Sequence, residues 1–446
     1  MTTISCAADT APRATADPAP PTPPDRQSAQ WPVPRGVRAA VGRPVVMALF
    51  ERAVQRLPLR VELPGGSWIG GGVHDPAAPH MVLHDPDAFA ARIAVSGLIG
   101  FGESYMLGEW SAPDPAAALT VLATDLGRLI PVPLQVFRSL LLPGQPRRTR
   151  ATPDGARGNA AYHYDLSNDF FALFLDETMT YSAALFDRLE PAPVWDDLAR
   201  AQRNKVDRLL DGAAVGQGST VLEIGTGWGE LAIRAAQRGA TVRSITLSAQ
   251  QQRLARERVA AAGVADRVTI DLLDYRDVEG RYDAVVSVEM IEAVGYSYLP
   301  SYLTTLERVL APGGRIALQA ITMPHDRMRA SRNTHTWVQK YIFPGGFLPS
   351  ETLLRQLLSR HTGLEIADRL SLGHHYAHTL RLWEERFASA EREVGALGFD
   401  EIFRRMWRLY LTYSEAGFRA GYLDALQLVL HHRDSRPERT GTAVTR

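Results

Sequence analysis

Apolar positions are sparse at the start of the chain. Residues 1–35 are rich in Ala, Pro and Thr, a composition that cannot bury enough surface to offset the entropy of ordering, and they are expected to form a disordered tail. From Pro44 the pattern changes. Val45, Met47, Leu49, Phe50, Val54 and Leu57 predict a helix, Leu59, Val61 and Leu63 alternate like a strand, and Pro64-Gly65-Gly66 turns the chain into Trp68-Ile69 as in a hairpin. A further helical stretch passes Phe89, Ile93, Leu98 and Ile99 towards Tyr105, Met106 and Trp110. No convergent acid–base residues stand out, so 36–142 reads as a smaller α+β accessory domain that packs through apolar surface. Residues 143–159 are rich in Pro, Gly and Arg and read as a linker, in which Arg147, Arg148 and Arg150 are candidates for contact with anionic headgroups.

The pattern from 200 to 320 alternates. Helices are predicted through Leu198–Leu210, from Glu230, over Gln251–Ala262 and over 299–310. Strands are predicted at Thr220–Ile224, Thr241–Leu247, Val268–Leu272, Tyr282–Val288 and Arg315–Ile321. Strands separated by helices imply a largely parallel sheet covered on both faces, a doubly wound Rossmann-like α/β fold. Residues 325–432 mix helix with aromatic-rich segments, and 433–446 form a charged tail. The main domain is therefore placed at 160–432.

At 446 residues the chain is long enough for two domains plus tails. Lys and Arg (49) balance Asp and Glu (49), which gives no footprint for nucleic-acid binding. No apolar run approaches the roughly 20 residues of a membrane span and no signal peptide opens the chain, so a cytoplasmic protein is expected. The single cysteine, Cys6, offers neither a disulfide framework nor a thiolate metal site. His374, His375 and His378 cluster in sequence without a carboxylate at ligand spacing, and no metal is expected.

Chemistry concentrates at Glu223-Ile224-Gly225-Thr226-Gly227-Trp228-Gly229-Glu230, where the first strand of the alternating region becomes a helix and glycines permit close backbone approach. Dinucleotide enzymes use a related loop. Here the spacing is G-x-G-x-G, Glu223 stands two residues before the first glycine, and the second strand ends in Thr246-Leu247-Ser248 without a ribose-binding carboxylate, which points away from NAD.

With these segments in view, the chain resembles the cyclopropane fatty acid synthase family of S-adenosylmethionine (SAM) dependent methyltransferases, which includes mycolic acid cyclopropane synthases, and within it the branch forming tuberculostearate through a 10-methylene chain. The resemblance is carried by residues 162–171, Met179-Thr180-Tyr181-Ser182, the glycine loop, Thr246-Leu247-Ser248 with Gln251, and Glu289-Met290-Ile291-Glu292-Ala293-Val294-Gly295. It continues through Tyr341-Ile342-Phe343-Pro344-Gly345-Gly346 and His375-Tyr376 to Trp383. Phe101-Gly102-Glu103-Ser104-Tyr105 and Gly108-Glu109-Trp110 extend it into the first domain. The resemblance implies that SAM is held by Gly225, Gly227 and Gly229 with Glu223, by Tyr181 and Ser182 at its carboxylate, by Thr246, Leu247 and Gln251 at ribose and adenine, and by Asp274 and Tyr275 at the adenine edge.

It further implies a bound bicarbonate as base, held by Glu292, Tyr376 and the backbone of Ile321. Two partners differ: Ala183 stands where the family has Cys, and Gln319 where many members have His. Glu289 reads as a structural neighbour of Glu292. The implied reaction is methyl transfer to the double bond of an unsaturated acyl chain on phospholipid, at the inner face of the membrane. Direct proton loss from the new methyl closes a cyclopropane, whereas a hydride shift first leaves a methylene branch for a separate reductase; the methylene product is the favoured expectation. Phe170, Phe171, Phe343, Trp407, Tyr410 and Phe418 are candidates for an acyl tunnel. The competing reading is a non-catalytic lipid-binding protein, and subunit pairing is left open.

Overall fold

The computed structural model describes residues 31–124 and 167–434. Cys6, residues 125–142 of the expected accessory domain, the linker with Arg147, Arg148 and Arg150, the segment 162–166 and the end of the chain from 435 lie outside the described residues.

The first region comprises α1 (Val37–Val54), β1 (Arg60–Glu62), β2 (Trp68–Ile69), β3 (His80–Leu83), α2 (Pro86–Ser96), α3 (Leu98–Met106), β4 (Trp110–Ser111) and α4 (Pro115–Thr124). Its four strands form a small sheet in the order β2-β1-β3-β4. The predicted hairpin is present, with Val61 opposite Ile69. The first helix begins seven residues before Pro44, which lies inside it; the helix runs on at the loss of one backbone donor. Asp85 caps α2 by accepting the Ala88 N–H at 2.9 Å, and Pro86 supplies the first-turn φ.

The larger region continues with α5 (Asn168–Ala172), α6 (Trp195–Gly212), β5 (Thr220–Ile224), α7 (Glu230–Gln237), β6 (Thr241–Thr246), α8 (Ala249–Ala261), β7 (Val268–Leu272), β8 (Tyr282–Val288), α9 (Leu299–Val309) and β9 (Leu310–Thr322). Then come α10 (His325–Ser331), α11 (Trp337–Tyr341), α12 (Glu351–His361), β10 (Leu364–Ser371), α13 (Gly373–Ser389), α14 (Glu391–Ala396), α15 (Glu401–Arg419) and β11 (Asp424–His432). Seven strands form one sheet in the order β10-β11-β9-β8-β5-β6-β7. The five strands from β9 to β7 are parallel, and β11 inserts antiparallel between β9 and β10. Strand β5 is buried from Val221 to Ile224 and β8 is almost wholly buried, as parallel strands covered on both faces require. The strand order reverses between β5 and β8, and ligands of such sheets bind outside the carboxyl ends of the strands at that switch.

The two regions pack together. One apolar cluster runs from Val54, Leu59 and Phe89 of the first to Phe170, Phe174, Trp383 and Trp407 of the second. Glu103 on α3 accepts hydrogen bonds from Lys340 Nζ and Tyr341 Oη, both at 2.7 Å. Gly102, one residue earlier, lies so close to the Trp337 ring that a Cβ there would approach it to 2.4 Å. The Phe101-Gly102-Glu103 and Tyr341-Ile342-Phe343 segments, far apart in sequence, are thus mutual contacts.

Candidate active site

A cavity of about 720 Å³ opens at the switch point. One end is the cofactor loop: Glu223, Gly225, Thr226, Gly227, Trp228, Thr246, Leu247, Gln251, Asp274 and Tyr275 all line it, together with Tyr181 and Ser182. Gly225, Gly227 and Gly229 have φ of 100°, 52° and 91°, backbone conformations that L side chains adopt only under strain. Thr246 donates its hydroxyl to Gln251 Oε1 at 2.9 Å, which fixes both at the end of β6. Glu223 accepts the Ser244 hydroxyl at 2.5 Å, and burial pushes its carboxyl up to about 8. Asp274 already holds Arg276 through two bonds of 2.8 and 2.6 Å, while the Tyr181 hydroxyl donates to Tyr410 Oη at 2.8 Å.

Two half-buried carboxylates, Glu289 and Glu292, also line the cavity, and their surroundings differ. Glu289 Oε1 accepts the Ala183 N–H at 2.9 Å and the Gln319 amide at 2.8 Å, and Oε2 accepts the Tyr376 hydroxyl at 2.7 Å. Glu289 also has φ of 49°, a costly conformation for a side chain of this size. Burial raises its pKa, and the three donors oppose that rise. Among the described residues Glu292 accepts the Ile321 N–H, at 2.5 Å, while its Oε2 is buried without a partner. Burial, and then the neighbouring Glu289, push it up to about 8. Of the residues grouped in sequence around Glu292, therefore, Tyr376, Gln319 and the backbone of residue 183 meet at Glu289, and Ile321 alone reaches Glu292. The Tyr376 phenol is itself held well above its ordinary pKa by burial, so it remains a donor.

Further residues absent from the sequence reading complete the site. Gln427 on β11 donates to Gln319 Oε1 at 3.0 Å and accepts from Arg208 at 2.9 Å. That order turns the Gln319 amide nitrogen towards Glu289. Lys205 on α6 is fully buried, donates to Ser182 Oγ at 2.5 Å, and is lowered to about 8 by burial despite nearby Glu289 and Asp176. Each left a local signal: Gln427 is the one polar residue in Ala425–Leu430, and Lys205 shares the buried face of α6 with Leu198, Ala201 and Leu209.

The other wall is apolar and comes partly from the first region. Val46, Leu49, Phe50 and Ala53 of α1, Ile93 and Phe101, and Leu119 and Leu122 of α4 line the cavity. That region does more than pack. Of the aromatic tunnel candidates, Phe343, Tyr410 and Phe418 line the cavity. Phe170, Phe171 and Trp407 are not among its lining; they are fully buried and packed on one another and on Phe174, because their rings satisfy the core between α5 and α15. His375 accepts the Phe186 N–H at 3.1 Å. Among the described residues no helix is long and apolar enough to cross a membrane.

Comparison with known proteins agrees with this geometry. A family described as mycolic acid cyclopropane synthetase matches residues 152–428. The tuberculostearic acid methyltransferase UfaA1 of Mycobacterium tuberculosis is 57% identical over 409 residues, covering 90% of this chain and 95% of that protein. The cyclopropane-fatty-acyl-phospholipid synthase of Escherichia coli is 33% identical over 383 residues, 84% of this chain and 93% of that one. Among solved structures, the mycolic acid cyclopropane synthase CmaA1 in complex with SAH and CTAB superposes with a TM-score of 0.56 at 30% identity, covering 64% of this chain and 98% of that one. A chain matched over most of its length in this way, with the strand order and glycine loop described above, belongs to the mycolic acid cyclopropane synthetase family and is a SAM-dependent methyltransferase.

Proposed function

We propose that the protein methylates the double bond of an unsaturated fatty acyl chain carried on membrane phospholipid and leaves a 10-methylene branch, the substrate of a separate reductase. The observation that carries this reading is that the cofactor loop, a donor-bound carboxylate and an apolar wall share one cavity. Relatives named for tuberculostearic acid methylation and for cyclopropane formation on fatty-acyl phospholipid support the substrate class.

SAM supplies an electrophilic methyl group on a sulfonium. The residues fit it: Lys205 and Glu223, a buried cation and a buried carboxyl beside the glycine loop, suit the two ends of an amino-acid head. Gly225 and Gly227 would admit its backbone-facing side, with Tyr181 and Ser182 nearby, whereas Gly229 is outside the cavity lining and packs against Ala255 of α8. Thr246, Leu247 and Gln251 would hold ribose and adenine, and Tyr275 would face the adenine edge beside an Asp274 already tied to Arg276.

An alkene is a weak nucleophile, so the apolar wall's part is to align it and exclude water. After methyl transfer and a hydride shift, a proton must leave the new methyl carbon as the C=CH2 bond forms. In this reading Glu289 accepts it. Its raised pKa makes it a better proton acceptor than an ordinary carboxylate, and Tyr376, Gln319 and the Ala183 N–H keep it oriented. Tyr376 is one of the groups that the family resemblance assigns to bicarbonate, and Ala183 and Gln319 stand at the positions of two others, the family's Cys and His; in this reading a carboxylate built into the chain takes the anion's place. Glu292 keeps its proton at neutral pH and so adds no second negative charge beside Glu289.

Attachment to the inner membrane face belongs to the same reading. Val37, Val41 and Val45 on α1 are 81%, 64% and 54% exposed, and the adjoining face of that helix lines the cavity. The test is incubation with methyl-labelled SAM and oleoyl phospholipid vesicles, followed by mass spectrometry of the released acyl chain with double-bond derivatisation. A gain of one CH2 with unsaturation retained is expected. The same gain with unsaturation lost would make the product a cyclopropane, and SAM binding without any gain would favour a lipid-binding protein.

A further inference from the structure

Among the described residues three cationic side chains line the cavity: Lys205, Arg276 and Arg332. Lys205 is buried against Ser182 and Arg276 is saturated by Asp274. Arg332 is different. It follows α10, is exposed, and among the described residues has no carboxylate partner; its guanidinium lies 5.5 Å from the centre of the Tyr296 ring and reaches that hydroxyl at 3.4 Å. Arg327, five residues earlier, stands 4.2 Å over the Tyr422 ring, again with no carboxylate partner among the described residues. Tyr422 and Ser331 both line the cavity.

A guanidinium resting on an aromatic face is held in place while its N–H edge stays available, and its planar fork matches two phosphate oxygens. Residues 325–332 carry Arg327, Arg329 and Arg332 against a single acid, Asp326. Immediately inside this rim the lining is apolar, with Met323, Phe347, Leu348 and Leu423. A charged rim over an apolar interior is the outline of an amphiphile with a phosphate at one end.

Resting on the acyl-methylation reading above, we propose that Arg327 and Arg332 bind the phosphate diester of the phospholipid headgroup at the cavity mouth. The headgroup is then anchored at the rim while the acyl chain enters towards Glu289. Counting carbons from a fixed phosphate would decide which double bond reaches the carboxylate. The enzyme would accordingly prefer phospholipid to an uncharged ester of the same acid.

The test compares wild type with the R327Q/R332Q double variant on two substrates in the same neutral micelles, dioleoylphosphatidylglycerol and methyl oleate. Two charge-assisted contacts are lost, so kcat/KM for the phospholipid should fall about tenfold, mainly through KM. The preference for phospholipid over methyl oleate should collapse by the same factor, and unchanged SAM affinity will show that the variant is folded. An unchanged preference, or an equal loss on both substrates, overturns the proposal. Inorganic phosphate separates the sources: if it competes as strongly as the lipid does, the arginines hold a free anion and the headgroup assignment fails. Should wild type methylate neither substrate, the methylation reading fails on its own. The site is then decided by equilibrium binding of dioctanoylphosphatidylglycerol against dioctanoylglycerol, where equal affinity, or a preference that survives in the double variant, counts against it.

Discussion

Glu289 and Glu292 lie three residues apart and line the same cavity, yet their surroundings treat the two carboxyls differently. Around Glu289 a backbone amide, a side-chain amide and a phenol converge. Around Glu292 one amide serves one oxygen, and among the described residues the other oxygen has no partner. Burial disfavours the charged form of both, but only Glu289 is compensated by hydrogen bonds to that charge. In the acyl-methylation reading the pair divides into a donor-bound base, Glu289, and a neighbour whose carboxyl is pushed up to about 8, and sequence proximity says nothing about which is which.

The largest test of that division is Glu289→Gln. Removing the acceptor should lower kcat by about 10²–10⁴-fold with SAM affinity retained in a binding titration; near-normal turnover would reverse the assignment of the two residues. Next is Tyr376→Phe, which removes one donor to a charged acceptor and should reduce kcat by about 10–100-fold. Gln427→Leu reaches the base at second hand. Without its donor, Gln319 loses the bond that orients its amide, and a loss of about threefold to tenfold in kcat is expected, smaller than for Tyr376→Phe.

The pH profile sharpens the comparison. Glu289 must be ionised to accept a proton and its pKa is raised, so activity should fall as pH drops through a limb above the ordinary carboxylate range. Glu292 is protonated below about 8; above that its charge would face Glu289, and activity should fall again. Lys205 titrates in the same range. The smallest effect is therefore the most discriminating one. Glu292→Gln copies the neutral form, and kcat at pH 7 should change by less than about threefold while the alkaline limb disappears. A limb that persists in this variant belongs to Lys205 or Glu223, which both titrate in that range at the cofactor end of the cavity.

The same contrast governs how much was legible beforehand. The parallel core could be read because β5, β8 and the second half of β9, from Ile316, are largely apolar runs between amphipathic helices. Strand β10 could not, since its exposed edge leaves Glu365, Ala367, Asp368 and Arg369 with little apolar pattern. β11 is apolar, but nothing local announces that it inserts between two earlier strands. The glycine loop is a local device and was found. The donors of Glu289 come from positions 183, 319 and 376, and are joined only by tertiary folding. The left-handed backbone of Glu289, which distinguishes it from Glu292, is invisible in a string of letters.

Strand β11 also imposes an order of events during synthesis. Its Gln427 orients Gln319, and β10 pairs in the sheet with β11 alone, so neither the sheet edge nor the base is finished until a segment ending at His432 has been made and has slid between its neighbours. A nascent or prematurely terminated chain can form the cofactor loop early, because β5, β6 and β8 precede it. It would carry that loop with Gln319 not yet turned towards Glu289, so methyl transfer waits for the fold to close.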